Sequence, residues 1–280
     1  MSRNKPGFHK ARKRFGQNFL HDQGTIGRII RAINPTLGQH IVEIGPGMGA
    51  LTEELISVTQ AMDVVELDRD LIPILRTNLF RFEQGLRIHE ADALKFDFAS
   101  LKPEEGKLRV VGNLPYNIST PLIFHLLSYH GLFADMHFML QKEVVDRMAA
   151  GPGDNNYGRL SIMTQYFCAV QPLFIVGPES FNPPPKVDSA IVRLVPHDTL
   201  PHPAQSLDAL DRTVRTAFSQ RRKTLRNTLK PLLHPEQISS LGIDPGLRPE
   251  NLSLKDYVAL SDLYFQLGNA NQDDADDLHS

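Results

Sequence analysis

At 280 residues the chain has room for one large domain, or a large and a small one, with enough interior for a full α/β core. Its 41% hydrophobic and 22% charged residues are ordinary for a globular protein. No uninterrupted apolar run nears the ~18 residues of a membrane span, and the single Cys168 excludes an internal disulfide or a cysteine-rich metal site. The formal net charge of −2 says nothing about partners, but its distribution does.

The first fourteen residues carry Arg3, Lys5, Lys10, Arg12, Lys13 and Arg14 and no acid. They lack the apolar core and cleavage site of a secretory signal, and Pro6 and Gly7 argue against an amphipathic targeting helix. With one cysteine, a reducing cytoplasm is the simplest home. A second acid-free cluster, Arg221, Arg222, Lys223, Arg226 and Lys230, lies in "SQRRKTLRNTLK", while Asp273, Asp274, Asp276 and Asp277 crowd the tail. Two basic clusters offset by acid elsewhere fit an anion-binding face, with nucleic acid favoured over a solvated helix face.

The elements alternate from residue 22 onward. "DQGTIGRIIRAI" has helical spacing, "QHIVEIG" is a short strand, and "ALTEELISV" a helix. "AMDVVELD" reads as a second strand, "RDLIPILRTNLF" as a helix, "GLRIHEAD" and "LRVVGNL" as further strands. Then come the helix "TPLIFHLLSYH", the strand "ADMHFMLQ" and the helix "KEVVDRMAA". Cys168, in "LSIMTQYFCAV", is expected in a helix as a buried thiol rather than a nucleophile. "PLFIVGP" and "SAIVRLVPH" follow closely enough for an antiparallel edge. This order predicts an α/β fold with a mostly parallel, doubly wound sheet. Beyond the proline-rich "HDTLPHPAQS" only helical segments remain, around 207–219, 221–231, 235–241 and 254–267, which predicts a small helical domain. The acidic tail, 269–280, is expected to be disordered.

"HIVEIGPGMGALT" places Gly45, Gly47 and Gly49 between the first strand of that series and its helix, where the backbone must turn tightly and admit a cofactor. Gly45, Gly47 and Ala50 also fit the dinucleotide fingerprint, and Glu66, at the end of the next strand, suits the ribose of any adenosine cofactor. Spacing alone therefore leaves both NAD and S-adenosylmethionine. Three features favour the methyl donor: Glu43 near a cationic amino-acid end, Asp92 placed for an adenine amino group (or for capping the next helix), and no Arg or Lys in the glycine turn for a pyrophosphate.

Strand "RVVG" breaks into Asn113-Leu114-Pro115-Tyr116 beside that site. An exocyclic amine such as adenine N6 is a poor nucleophile, because its lone pair is delocalised into the ring. Two acceptors for its hydrogens, the Asn113 side-chain oxygen and the Leu114 carbonyl, favour the pyramidal, reactive nitrogen. Pro115 stiffens the turn and Tyr116 supplies a stacking face.

In this order the segments "RKRFGQNFL", "VEIGPGMGALT", "VVELDRDL", "GNLPYNISTPL", "MLQKEVVDRM", "YGRLSIMTQY", "FNPPPKVDSAIVRL" and "FSQRRKTLRNTL" closely resemble the ribosomal RNA adenine N6-dimethyltransferases, most of all the bacterial small-subunit type. The resemblance implies a Rossmann-like class I methyltransferase domain over 21–200, preceded by a basic, cofactor-contacting segment, 1–20, and followed by a helical RNA-binding domain, 201–268. It implies S-adenosylmethionine contacts from Asn18, Leu20, Gly45, Glu66, Asp92 and Asn113. Asn113, Leu114 and Tyr116 would address the target amine and ring, and Phe181 would stack on the base's other face, unless it is a hydrophobic plug beside the sheet. Arg221, Arg222 and Lys223, and Arg12, Lys13 and Arg14 from another side, would bind RNA phosphates. The implied reaction is dimethylation of N6 on two adjacent adenines near the 3′ end of 16S (small-subunit) ribosomal RNA, by a monomer with no membrane attachment. The scattered histidines predict no metal. The alternatives are a large-subunit resistance methyltransferase, a mainly non-catalytic ribosome-assembly factor and, remotely, a dehydrogenase.

Overall fold

In the computed structural model the described residues are 18–220 and 222–277. Arg12, Lys13, Arg14 and Arg221 lie outside them. The chain folds as two compact units. One comprises the described residues up to Val145 together with Val170–Pro196; the other comprises Asp146–Ala169 together with the described residues from His197 onward.

The first unit opens on a two-residue strand, β1 (Phe19–Leu20), and helix α1 (Gln23–Ile33). Asp22 caps α1 by accepting from the Thr25 N–H at 2.7 Å. Ile26, Ile29 and Ile33 bury one face, and Asn34 ends the helix in the left-handed conformation. There follow β2 (Ile41–Ile44), α2 (Ala50–Thr59), β3 (Met62–Glu66), α3 (Leu71–Asn78), β4 (Leu86–Glu90), β5 (Leu108–Asn113), α4 (Ser119–Leu127) and β6 (Phe133–Gln141). Helices α5 (Lys142–Ala149) and α6 (Arg159–Phe167) precede β7 (Cys168–Val176), β8 (Phe181–Asn182) and β9 (Ser189–Pro196).

Seven strands form one sheet in the order β4-β3-β2-β5-β6-β9-β7. β4, β3, β2, β5 and β6 pair in parallel, and β9 runs antiparallel to β6. β2 and β3 are buried along their whole length, as parallel strands covered on both faces must be. The strand order reverses between β2 and β5, the crevice where such sheets bind ligands. β1 and β8 pair separately, Phe19 with Asn182 and Leu20 with Phe181; runs this short carry no periodicity for a sequence reading to detect.

Three details depart from the sequence reading. Cys168 begins a strand instead of extending a helix, and it is a buried free thiol. Residues 146–169, expected in the methyltransferase domain, pack with the helical unit instead. Tyr157 meets the Phe218 ring edge-on at 6.4 Å, the Gly153 N–H donates to the Glu250 carbonyl at 2.7 Å, and Arg159 pairs with Asp211. The final helix runs through Asp277, where disorder was expected: extending a helix already nucleated costs far less than starting one.

The second unit adds α7 (Leu207–Ala217), α8 (Leu225–Thr228), α9 (Pro235–Ser240) and α10 (Leu254–Asp277). Its interior is built on Leu210, Val214, Leu225, Leu229 and Leu260, with Tyr257 stacked on Phe218 and donating its hydroxyl to the Pro249 carbonyl. Among the described residues no helix is long and apolar enough to cross a membrane.

Candidate active site

At the carboxyl ends of the parallel strands the first unit holds a cavity of about 350 Å³. Its wall is made by the segment 18–20, the β2–α2 turn, the end of β3, residues 91–94 and the turn after β5. The β2–α2 turn exists because Gly45, Gly47 and Gly49 all take positive φ, +67°, +59° and +93°. A Cβ on Gly49 would also sit 2.9 Å from the Leu75 side chain. Phe19 lies directly over Gly47, where a Cβ would approach its ring to 3.2 Å.

Four residues lining the cavity are acids, Glu43, Glu66, Asp68 and Asp92, and among the described lining residues none is Lys or Arg. Glu43 is 2% exposed and accepts the Thr52 hydroxyl at 2.6 Å. Burial pushes its carboxyl up to about 7, the Thr52 bond opposing and nearby Glu66 reinforcing the rise. Glu66 accepts from the Asp68 N–H at 2.8 Å and the Gly47 N–H at 3.4 Å. Burial still holds its carboxyl above the usual range, against those two backbone donors. Asp92 accepts from the Leu94 N–H at 3.0 Å, so one residue both forms the turn and faces the cavity. A dinucleotide would set its pyrophosphate against these acids, whereas a cationic ligand would be stabilised there.

Asn113, Leu114 and Tyr116 all line the same cavity. Pairing of β5 with β2 ends where Gly112 stands opposite Ile44, and a Cβ there would press to 2.7 Å from the Ile44 carbonyl, so only glycine fits. The Asn113 Nδ2 donates to the Asn18 carbonyl at 3.1 Å. The reverse orientation would set two acceptor oxygens face to face, so the amide oxygen is the atom left to accept from a ligand. The Leu114 N–H donates to the Met139 carbonyl at 3.1 Å, fixing that peptide to β6. Tyr116 is half-buried, and its hydroxyl lies 2.7 Å from Ser189 Oγ; burial raises its pKa and keeps the phenol protonated.

The structure thus brings Asn18, Leu20, Gly45, Glu66, Asp92, Asn113, Leu114 and Tyr116 around one cavity. It does not bring Phe181 there. That ring is 3% exposed, sits in the core cluster with Leu20, Ile26, Met139 and Ile191, and does not line the cavity. Phe181 pairs with Leu20 across β1 and β8, and both belong to that cluster. Arg222 and Lys223 are exposed on the second unit. Sequence reasoning missed Phe19, Met48, Leu67, Asp68 and Ala93 in the lining. Each lies within two residues of a motif position, and that adjacency was the available signal.

Residues 8–266 match the model of a family described as Ribosomal RNA adenine dimethylase. A Ribosomal RNA small subunit methyltransferase A from Marinomonas sp. (strain MWYL1) is 66% identical over 261 residues, covering 93% of this chain and 97% of that protein. Among solved structures, a dimethyladenosine transferase from Plasmodium falciparum superposes with a TM-score of 0.73 at 31% identity, covering 86% of this chain and 95% of the other. The 23S rRNA methyltransferase ErmE superposes with a TM-score of 0.68 over 88% of this chain and 99% of its own, and at 23% identity it shares the fold. By the span of the family match and the level of identity, the chain belongs to the ribosomal RNA adenine dimethylase family.

Proposed function

We propose that the protein transfers methyl groups from S-adenosylmethionine to N6 of two adjacent adenines near the 3′ end of small-subunit ribosomal RNA. The observation that carries this reading is one cavity whose charged lining, among the described residues, is all acidic on one side, with the Asn113–Tyr116 turn on the other. The small-subunit methyltransferases to which the chain is similar support the small-subunit target.

Asn18, Leu20, Gly45, Glu66, Asp92 and Asn113 would hold the cofactor, which when bound supplies an electrophilic methyl on a sulfonium. Glu66 would accept from its ribose hydroxyls, and Glu43 would face its cationic end. Asn113 Oδ1 and the Leu114 carbonyl accept the two hydrogens of adenine N6, and so localise its lone pair for in-line attack. Tyr116 stacks on one face of the extruded base. Most of the rate comes from holding nucleophile and electrophile in register. No general base is required before attack, since N6 becomes strongly acidic once cationic and water takes the proton. A second methylation keeps one acceptor engaged with the remaining hydrogen.

On the second unit, exposed Arg222 and Lys223 hold RNA phosphates, as Arg221 and the Arg12–Arg14 run do by sequence. The protein works as a monomer in the cytoplasm. Labelled-methyl transfer onto undermethylated small subunits, with large subunits in parallel, tests the reading. Label should appear in dimethyladenosine of small-subunit RNA; label on large subunits, or on neither, overturns it.

A further inference from the structure

Tyr116 presents its ring from a turn and not from a strand or helix. β5 stops at Asn113, and the chain folds back with the Ile118 N–H donating to the Pro115 carbonyl at 3.2 Å. Rotation of a half-buried ring on such a turn is resisted only by what the ring touches. A stacking surface that swings loses the orientation on which the attack depends.

Ser189 is placed to stop that rotation. It is fully buried, with 0% exposure, and opens β9 directly opposite Gln141 in the β6–β9 ladder. Next to it, the Lys142 N–H donates to the Asp188 carbonyl at 2.9 Å, so the backbone is tied on both sides of the serine. A side chain with one rotatable torsion on so fixed a backbone gives its hydroxyl little freedom. That hydroxyl meets the Tyr116 phenol at 2.7 Å, and on the serine side the bond is closed to water. Ser189 itself does not line the cavity.

We infer that Ser189 is a positioning residue for methyl transfer: its buried hydroxyl sets the angle of the Tyr116 ring over the target adenine and acts on the reaction only through that ring. The inference rests on Tyr116 being the stacking surface. A purely structural serine would stabilise the fold without selectively affecting turnover.

The test is a double-mutant cycle of Ser189→Ala and Tyr116→Phe. Each variant is assayed for methyl transfer to undermethylated small subunits, for cofactor affinity by calorimetry, and for stability by urea unfolding. Loss of one neutral hydrogen bond predicts a roughly three- to tenfold fall in kcat for Ser189→Ala. Tyr116→Phe falls by a similar factor, and the double variant no further than either single one. Cofactor affinity stays within about twofold in all of them, as expected for a group acting in the transition state. Unchanged turnover in Ser189→Ala, multiplicative losses in the double variant, or cofactor affinity falling in step with rate would each overturn the inference alone. Inactivity of the unaltered enzyme on small subunits would overturn the reading of the site, and this inference with it.

Discussion

The two ends of the same sheet treat carboxylates in opposite ways. At the amino ends of β5 and β6, Asp135 is 3% exposed and accepts from Arg109 at 2.8 and 3.0 Å and from Arg193 at 3.0 and 3.1 Å. Burial pushes its carboxyl up, but the Arg109 and Arg193 guanidiniums outweigh this and hold it below the usual range. Arg109 also donates to the Ile33 carbonyl, tying the end of α1 to the sheet. Asp63, with Arg87 and His89, repeats the arrangement on β3 and β4. At the carboxyl ends, Glu43 and Glu66 are as deeply buried, but burial prevails and their carboxyls titrate high. One end is electrostatically finished and holds the scaffold. The other carries acids with no Lys or Arg among the described residues that line their cavity.

Removing the finished end should cost most. Asp135→Ala removes the carboxylate shared by the nearly buried Arg109 and the more exposed Arg193, and should lower unfolding free energy by ~3–5 kcal/mol in urea titrations. A loss below ~1 kcal/mol would mean the two ends do not differ as described. Next in size, Asn113→Ala at the reactive end should cut kcat by about a hundredfold or more, with a much smaller fall in cofactor affinity. Equal losses in both quantities would remove its role toward the amine.

Glu43→Gln sharpens the contrast through pH. The folded carboxyl titrates at about 7 against an ordinary 4.5. Between those values the native state therefore binds more protons than the unfolded chain, and stability falls as pH rises from 4.5 to 7 and levels off above. At about 1.4 kcal/mol per unit, up to ~3 kcal/mol is lost across that window. The glutamine variant of the ligand-free protein should be more stable than the parent at pH 8 and lose that advantage near pH 4.5. A constant difference across the range would show that Glu43 does not titrate there. The smallest effect is that of Glu66→Gln, which should weaken cofactor binding about tenfold and leave saturated turnover nearly intact; calorimetry beside steady-state kinetics separates the two.

Much of this was legible in the chain. The glycine turn, Glu66, Asp92 and the Asn113–Tyr116 turn fall where strand-to-loop boundaries put them, and strand periodicity locates those boundaries. The packing of Phe181 was not legible: its neighbours Pro183 to Pro185 suggest a loop, while its partner in β1 lies 161 residues away in sequence (Leu20 to Phe181). Residues 146–169 misled because the rings and carboxylates that hold them belong to segments beyond residue 210.

The alternation of helices with the main-sheet strands, and the residue types where the parallel strands end, were determined by sequence alone, because hydrophobic period and turn chemistry are local properties. Three things were decided only in the folded molecule: which way the Asn113 amide points, that Ser189 meets Tyr116, and which carboxylates find a guanidinium. Each depends on atoms brought together from distant segments, and the free energy of a buried polar group is set by the partner it meets and not by its neighbours in the chain.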